Sequence, residues 1–262
     1  MKKITLLFFV FILFSCSNSD DEVEEFQNVP VGFLKQVKDF NLGSMVVYNY
    51  YYLENKLLKI VSDNEIKRYT YTGDLITKID VLDTTNNLIE TQIFQYDIDN
   101  NLIGSKTLYY TFNYGNRIEL NYNLDGTTSI NHYSGNLTSQ NTFDFINKLY
   151  FLNNEVIKSE INFNSSISTV IYEYDSNINP MHQVLGFSKL NLTLFNGSLP
   201  SQYHKIGNLN NCTKAIIDDP NISGIVDYDF TYNSNNFPSF ISSDGQDTTI
   251  FDLGYFQYIY QE

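Results

Sequence analysis

From Val46 onward apolar and polar residues alternate with a period of two, and clusters of Asn, Asp and Gly break the alternation at short intervals. One phrase recurs: aromatic, polar, aromatic, a polar turn, then aliphatic, polar, aliphatic. It reads Tyr50-Tyr51-Tyr52-Leu53-Glu54-Asn55-Lys56-Leu57-Leu58-Lys59-Ile60 and again Tyr69-Thr70-Tyr71-Thr72-Gly73-Asp74-Leu75-Ile76-Thr77-Lys78-Ile79. Further copies start at Phe94, Phe112, Tyr150, Tyr172 and Phe230, with a weaker one from His132 to Leu137. Residues i and i+2 of a strand share one face, and Asn, Asp and Gly accept the conformations of a tight reversal, so each copy predicts one β-hairpin. Tandem hairpins with short polar links pair with their sequence neighbours. The expected fold is all-β, an antiparallel meander of repeated hairpins forming a large twisted sheet, curled or barrel-like so that its edges are hidden.

One region breaks the rhythm. Between 180 and 224 the strands are interrupted by Pro180, Pro200 and Pro220, with room for a short helix from Met181 to Leu190. This excursion is expected to cap an end of the sheet. Irregular loops on a rigid scaffold are also where binding groups gather, so it is the first place to look for a site.

Composition narrows the picture. The chain has 21 Tyr, 20 Phe and no Trp, which suits strands whose flat rings pack across neighbours. Its formal net charge of -14 repels phosphate backbones and excludes nucleic acid as a partner.

The amino-terminal end is of another kind. Met1, Lys2 and Lys3 precede a largely apolar run from Ile4 to Phe14, followed by Ser15 and Cys16. A basic start with so short an apolar stretch matches an export signal; a helix crossing a bilayer core of about 30 Å takes about 20 residues. Leu13-Phe14-Ser15-Cys16 resembles the bacterial lipobox, which implies a signal peptide over 1–15 and a diacylated Cys16 as the mature amino terminus, fixed to a membrane by its lipid. Residues 16–30, with the acidic run Asp20 to Glu25, read as a flexible tether, and they resemble the acidic surface-export tag of Bacteroidota lipoproteins. Residues 31–262 then form one β-repeat domain. With Cys16 lipidated, Cys212 is the one cysteine left, so no intrachain disulfide supports the fold and its core must.

The phrase Phe94-Gln95-Tyr96-Asp97-Ile98-Asp99-Asn100-Asn101-Leu102, and after it Tyr172-Glu173-Tyr174-Asp175-Ser176-Asn177-Ile178-Asn179-Pro180, resembles the YD repeat of Rhs and teneurin shells. Over roughly 46–262 the chain is similar to the repeat-bearing lipoproteins of flavobacteria whose function is unassigned. That likeness implies architecture and an outer-membrane, lipid-anchored address, and implies no activity.

Candidate chemistry is sparse. His132, His182 and His204 stand in unlike contexts without metal-ligand spacing, Cys212 lacks a catalytic surround, and no nucleophile elbow or cofactor motif is present. Asp97, Asp99 and Asn101 resemble the first half of a calcium loop but lack its turn Gly and distal Glu, and a hairpin turn is the preferred reading. Asp83-Thr84-Thr85 and Asp247-Thr248-Thr249 resemble the Bacteroidota O-glycosylation sequon, marking Thr84 and Thr248, and they suit turns equally. The expectation is a non-enzymatic binding or structural protein of the cell envelope. Its alternatives are an accessory that captures glycan or peptide beside an outer-membrane partner, and an exported hydrolase with an unfamiliar acidic site.

Overall fold

A computed structural model describes residues 29–40, 44–163, 166–195, 207–220, 223–245 and 255–262. The leader, Cys16 and most of the acidic tether lie outside the described residues. Strand β1 (Leu34–Asp39) precedes seven tandem strand pairs. They are β2 (Val46–Leu53) with β3 (Lys56–Val61), β4 (Glu65–Thr72) with β5 (Leu75–Asp83), β6 (Leu88–Tyr96) with β7 (Leu102–Tyr109), and β8 (Tyr114–Tyr122) with β9 (Thr128–Gly135). Then come β10 (Thr142–Leu152) with β11 (Glu155–Phe163), β12 (Ser166–Ile178) with β13 (Asn210–Asp218), and β14 (Ser223–Tyr232) with β15 (Pro238–Gly245). Each strand pairs antiparallel with its neighbours in sequence, and β16 (Tyr255–Tyr260) returns to β1, closing a sixteen-strand barrel. Closure leaves the meander no open edge, which is the barrel-like form of the expected sheet.

The polar clusters do what their residue types require. Glu54, Gly73, Asn100, Gly126, Asn153, Asn154 and Asn236 all take positive φ at the turns of these pairs. Asp97 and Asn233 each hold their loop by accepting two backbone amides on one side-chain oxygen. Beside most of these turns the register slips by one residue just before the second aromatic of the phrase, as between Thr70 and Tyr71 or Gln95 and Tyr96. Such a bulge sharpens the twist and helps the sheet to close.

Three details differ from the sequence reading. The reversal expected within Phe112 to Leu120 lies earlier, in a helical turn over Tyr110–Phe112 that ends on a left-handed Asn113. Gly115 is a strand residue there, where a Cβ would press on Asn136, Gln140 and Leu108 at 3.1 Å. The Tyr172 copy makes no tight turn: β12 runs on to Ile178, and Asp175 caps a bulge by accepting the amides of Asn177 and Asn211. The excursion begins as expected but ends before Asn210, because Asn210–Asp218 pairs with both β12 and β14.

Alternation gives the wall two unlike faces. Tyr52, Leu57, Ile76, Leu102, Ile130 and Leu149 point inward and are almost completely buried. The outward rows mix charged and polar residues with exposed aliphatics such as Ile93 and Ile171, and Tyr51, Lys59, Arg68, Asp80 and Thr91 sit opposite one another on five successive strands. Lys59 lies 4.7 Å over the Tyr51 ring, Lys78 reaches Asp80 at 2.5 Å, Lys158 reaches Glu160 at 2.7 Å and Lys214 reaches Asp227 at 3.2 Å.

Candidate functional site

The excursion joins β12 to β13 on the rim that carries the tight hairpin turns, and it folds over that rim. It contains a one-turn helix, α1 (Phe187–Leu190), followed by a further helical turn over Asn191–Leu194. Met181, Val184, Phe187, Leu190 and Phe195 join the barrel core, with the Phe195 ring edge-on to Tyr172 at 5.2 Å. Polar contacts fix its course. Leu185 N donates to the carbonyl of Asn55 at 2.9 Å, Asn147 donates to the carbonyl of Phe195, and Gly186, at φ +74°, lies against the backbone of Asp74 and Ile76. At its far end the Glu155 carboxylate accepts the amides of Asn208, Leu209 and Asn210 at 2.6 to 2.9 Å.

Between cap and rim lies a cavity of about 320 Å³. Its apolar lining includes Tyr122, Phe151 and Phe195, and its polar lining includes Asn154, Ser188 and Asn191. Glu155 also borders it, but both carboxylate oxygens are spent on backbone amides. Asn191 donates to the carbonyl of Gly207 at 2.5 Å, which fixes the amide's orientation. Its Oδ1 is buried and has no partner among the described residues. Lys189 brings a cation to the wall and helps to hold the Asp97 carboxyl, chiefly stabilised by the Asn101 amide, below its usual range. A few convergent polar groups in a partly apolar concavity are what a small-molecule site requires.

A second cleft, of about 570 Å³, opens beside the bulge of β12 and is bordered by Glu173, Asp175, Asp227, Asp229 and Lys214. Its carboxylates are engaged in part: Asp227 pairs with Lys214, and Asp175 accepts from Asn177, Asn211 and the Tyr232 hydroxyl.

The residues singled out in the sequence are scattered. Cys16, Thr248 and His204 lie outside the described residues. Thr84 is exposed in the β5–β6 turn, where Asp83 accepts the amides of Thr85 and Asn87. Asp97 accepts the Asp99 and Asn101 amides on Oδ1 and the Asn101 side-chain amide on Oδ2, so its oxygens close a turn. Among the described residues no cluster of three or more His, Cys, Asp or Glu is placed to hold a metal. His132 is buried inside the wall, stacked on Phe145 at 4.1 Å, and burial lowers its pKa to about 4. His182 is exposed, with Nδ1 3.2 Å from the Asn208 carbonyl. Cys212 is fully buried and its thiol is pushed up to about 12 by burial.

No family model matches the chain, and no curated protein is similar to it in sequence. Its barrel is similar to solved structures. A porin-like protein from Bacteroides vulgatus aligns with a TM-score of 0.57 and 14% identity over 87% of this chain and 98% of its own. One from Bacteroides uniformis aligns at 0.53 and 9% over 88% and 99%. At such identities the likeness is one of fold. The faces of this wall bear on how the barrel is used. A membrane-spanning barrel turns an apolar band outward and keeps its interior polar, and an Arg or Lys facing the middle of the bilayer costs about 2 to 4 kcal/mol. Here Lys59, Arg68, Lys106 and Arg117 face outward along mid-strand rows, beside exposed aliphatics such as Ile93 and Ile171, and the inward face carries polar Lys67, Glu90, Gln92 and Asn147 among its apolar core.

Proposed function

We propose that the chain is an envelope lipoprotein whose barrel stands in water, held to the outer membrane by acyl chains on Cys16, and that it binds a ligand at its capped rim without catalysis. The observation that carries this reading is the set of cationic side chains, Lys59, Arg68, Lys106 and Arg117, that face outward at mid-strand. A wall with such charges at mid-strand is costly to insert, so membrane attachment falls to the leader. The basic start, the short apolar run and Leu13-Phe14-Ser15-Cys16 support a lipid there. Engagement of Glu155, Asp97 and Asp83 in backbone contacts supports binding over acid–base chemistry.

The test has two arms. Cells making the full chain are fed an alkyne-tagged palmitate, and the label is expected on the wild type and absent from Cys16→Ala. A chain starting at Ser17 is expected to purify as a monodisperse β-protein without detergent. An unlabelled wild type defeats the tether, and a shortened chain that stays soluble only in detergent defeats the water-facing barrel.

A further inference from the structure

We infer that the cavity under the cap takes a mono- or disaccharide. This deepens the binding reading above and is independent of the lipid tether. The argument is one of complementarity. A pyranose presents apolar C–H faces and a rim of hydroxyls that both donate and accept. The cavity offers aromatic surface from Tyr122, Phe151 and Phe195 beside the neutral side chains of Asn154, Ser188 and Asn191.

Charge and topology argue against a metal cation, an extended peptide and a long apolar ligand, and Lys189 on the same wall suits an acidic sugar among the candidates. The one carboxylate of the lining, Glu155, is saturated by three amides and cannot also serve a cation. An extended peptide adds to a free sheet edge, and a closed barrel has none. A long apolar ligand would leave the polar wall unpaired. Asn191 belongs to the polar wall with its amide held in place by the Gly207 carbonyl. The volume of about 320 Å³ suits one or two sugar rings and lies at the small end of ligand pockets.

The experiment uses the full acylated chain in detergent micelles. Saturation-transfer NMR is run with glucose, galactose, mannose, N-acetylglucosamine, glucuronate, maltose and lactose, and with a parallel set of free amino acids and dipeptides. At least one saccharide is expected to bind. Two exposed substitutions then locate it. Ser188→Trp fills the cavity and is expected to abolish the signal. Asn154→Gly keeps the positive φ while deleting one amide and is expected to weaken binding roughly tenfold, the worth of one good hydrogen bond. Circular dichroism of both variants should match the wild type. Silence from every saccharide, or saccharide binding that neither substitution alters, overturns the inference. Binding of amino acids or dipeptides alone, lost in Ser188→Trp, overturns the sugar class and leaves the binding reading standing. Cleavage of maltose or lactose in the same tubes would keep the sugar class and defeat the non-catalytic reading.

Discussion

The hydroxyl of Tyr96, at the end of β6, donates a 2.7 Å hydrogen bond to the carbonyl of Ile76, the first core residue of β5 after its turn. The β5–β6 ladder reaches only to Lys78 opposite Ile93, so the backbone of Ile76 lies beyond it and the phenol takes the place of a strand neighbour. The arrangement repeats. Tyr122 donates to Leu102 at 2.9 Å, Tyr174 donates to Val156 at 2.7 Å, and Tyr71 accepts the amide of Leu57 at 3.1 Å, each where its own ladder has stopped. Phe151 occupies the equivalent place on β10, and there β9 pairs directly through Thr128 opposite Leu149, leaving nothing for a hydroxyl to do. On β4, β6, β8 and β12 the rim tyrosine is therefore a splice between hairpins, whereas Tyr52 has no such bond and Tyr232 donates to the Asp175 carboxylate.

Tyr96→Phe should accordingly cost about 1 kcal/mol, the net worth of one hydrogen bond, with the ring's packing retained. Tyr51→Phe, on the outer face beneath Lys59, keeps its ring stacking and should change stability by less than about 0.5 kcal/mol. Equilibrium urea unfolding of the two variants measures the difference, and equal losses would show that the splice contributes nothing.

Gly186 offers a harsher test of the cap. At φ +74° any side chain is strained, and a Cβ would stand 2.8 Å from the Asp74 carbonyl oxygen and 2.9 Å from the Ile76 nitrogen, both backbone atoms that cannot swing aside. Gly186→Ala should lose at least about 2 kcal/mol, combining left-handed strain with displacement of the cap. Gly73→Ala has the same sign of φ and open space around it, so it should lose only the strain. Thermal unfolding of the pair separates the two contributions.

Much of this architecture was legible because a two-residue period and turn-forming clusters are local signals. Tyr50 to Ile60 and Tyr69 to Ile79 each contain a complete hairpin with its bulge. A further hairpin, Tyr122-Asn123-Leu124-Asp125-Gly126-Thr127-Thr128, carries the strong turn signal Asp125-Gly126 but does not fit the repeated phrase, because its aromatic stands alone without a partner two residues before. The Phe112 turn was displaced because Gly115-Asn116 looks like a reversal until the neighbouring loop is seen pressing on Gly115. Closure was one of the two forms expected of the sheet, curled or barrel-like, and the pattern left that choice open; the cavity was not legible. Tyr122, Phe151 and Asn191 lie far apart in sequence and meet only because the wall closes and one long connection folds back over it.

His132 gives the barrel a pH response whose sign can be stated. Burial beside Phe145 depresses its pKa to about 4 in the fold, against about 6.5 when unfolded. Above pH 6.5 the ring is neutral in both states and costs nothing. Between 6.5 and 4 the unfolded chain binds a proton that the folded chain refuses, so stability falls, by about 3 kcal/mol once the window is crossed. His132→Phe keeps the stack on Phe145 and removes the titration. Urea midpoints measured from pH 7 to pH 4 should fall more steeply for the wild type than for the variant, and parallel curves would show that the imidazole is freely protonated in the fold.

Glu155 ties the cap to the wall, and its charge matters as much as its shape. Oε2 accepts the Asn208 amide at 2.6 Å, and Oε1 accepts those of Leu209 and Asn210 at 2.7 and 2.9 Å, with the side chain buried. Glu155→Gln is nearly isosteric, yet it replaces one acceptor by an NH2 group that faces a backbone N–H, leaving donors opposed where a charge-assisted bond had been. The expected loss is about 2 kcal/mol, confined at first to the end of the cap because the β12 and β13 ladder is intact beyond it. Hydrogen exchange should therefore speed up at 207–210 while Ala215 and Ile217 stay protected. Uniform acceleration across β13 would mean that the carboxylate supports the barrel itself, and no acceleration at all would mean that the cap is held by its apolar side chains alone.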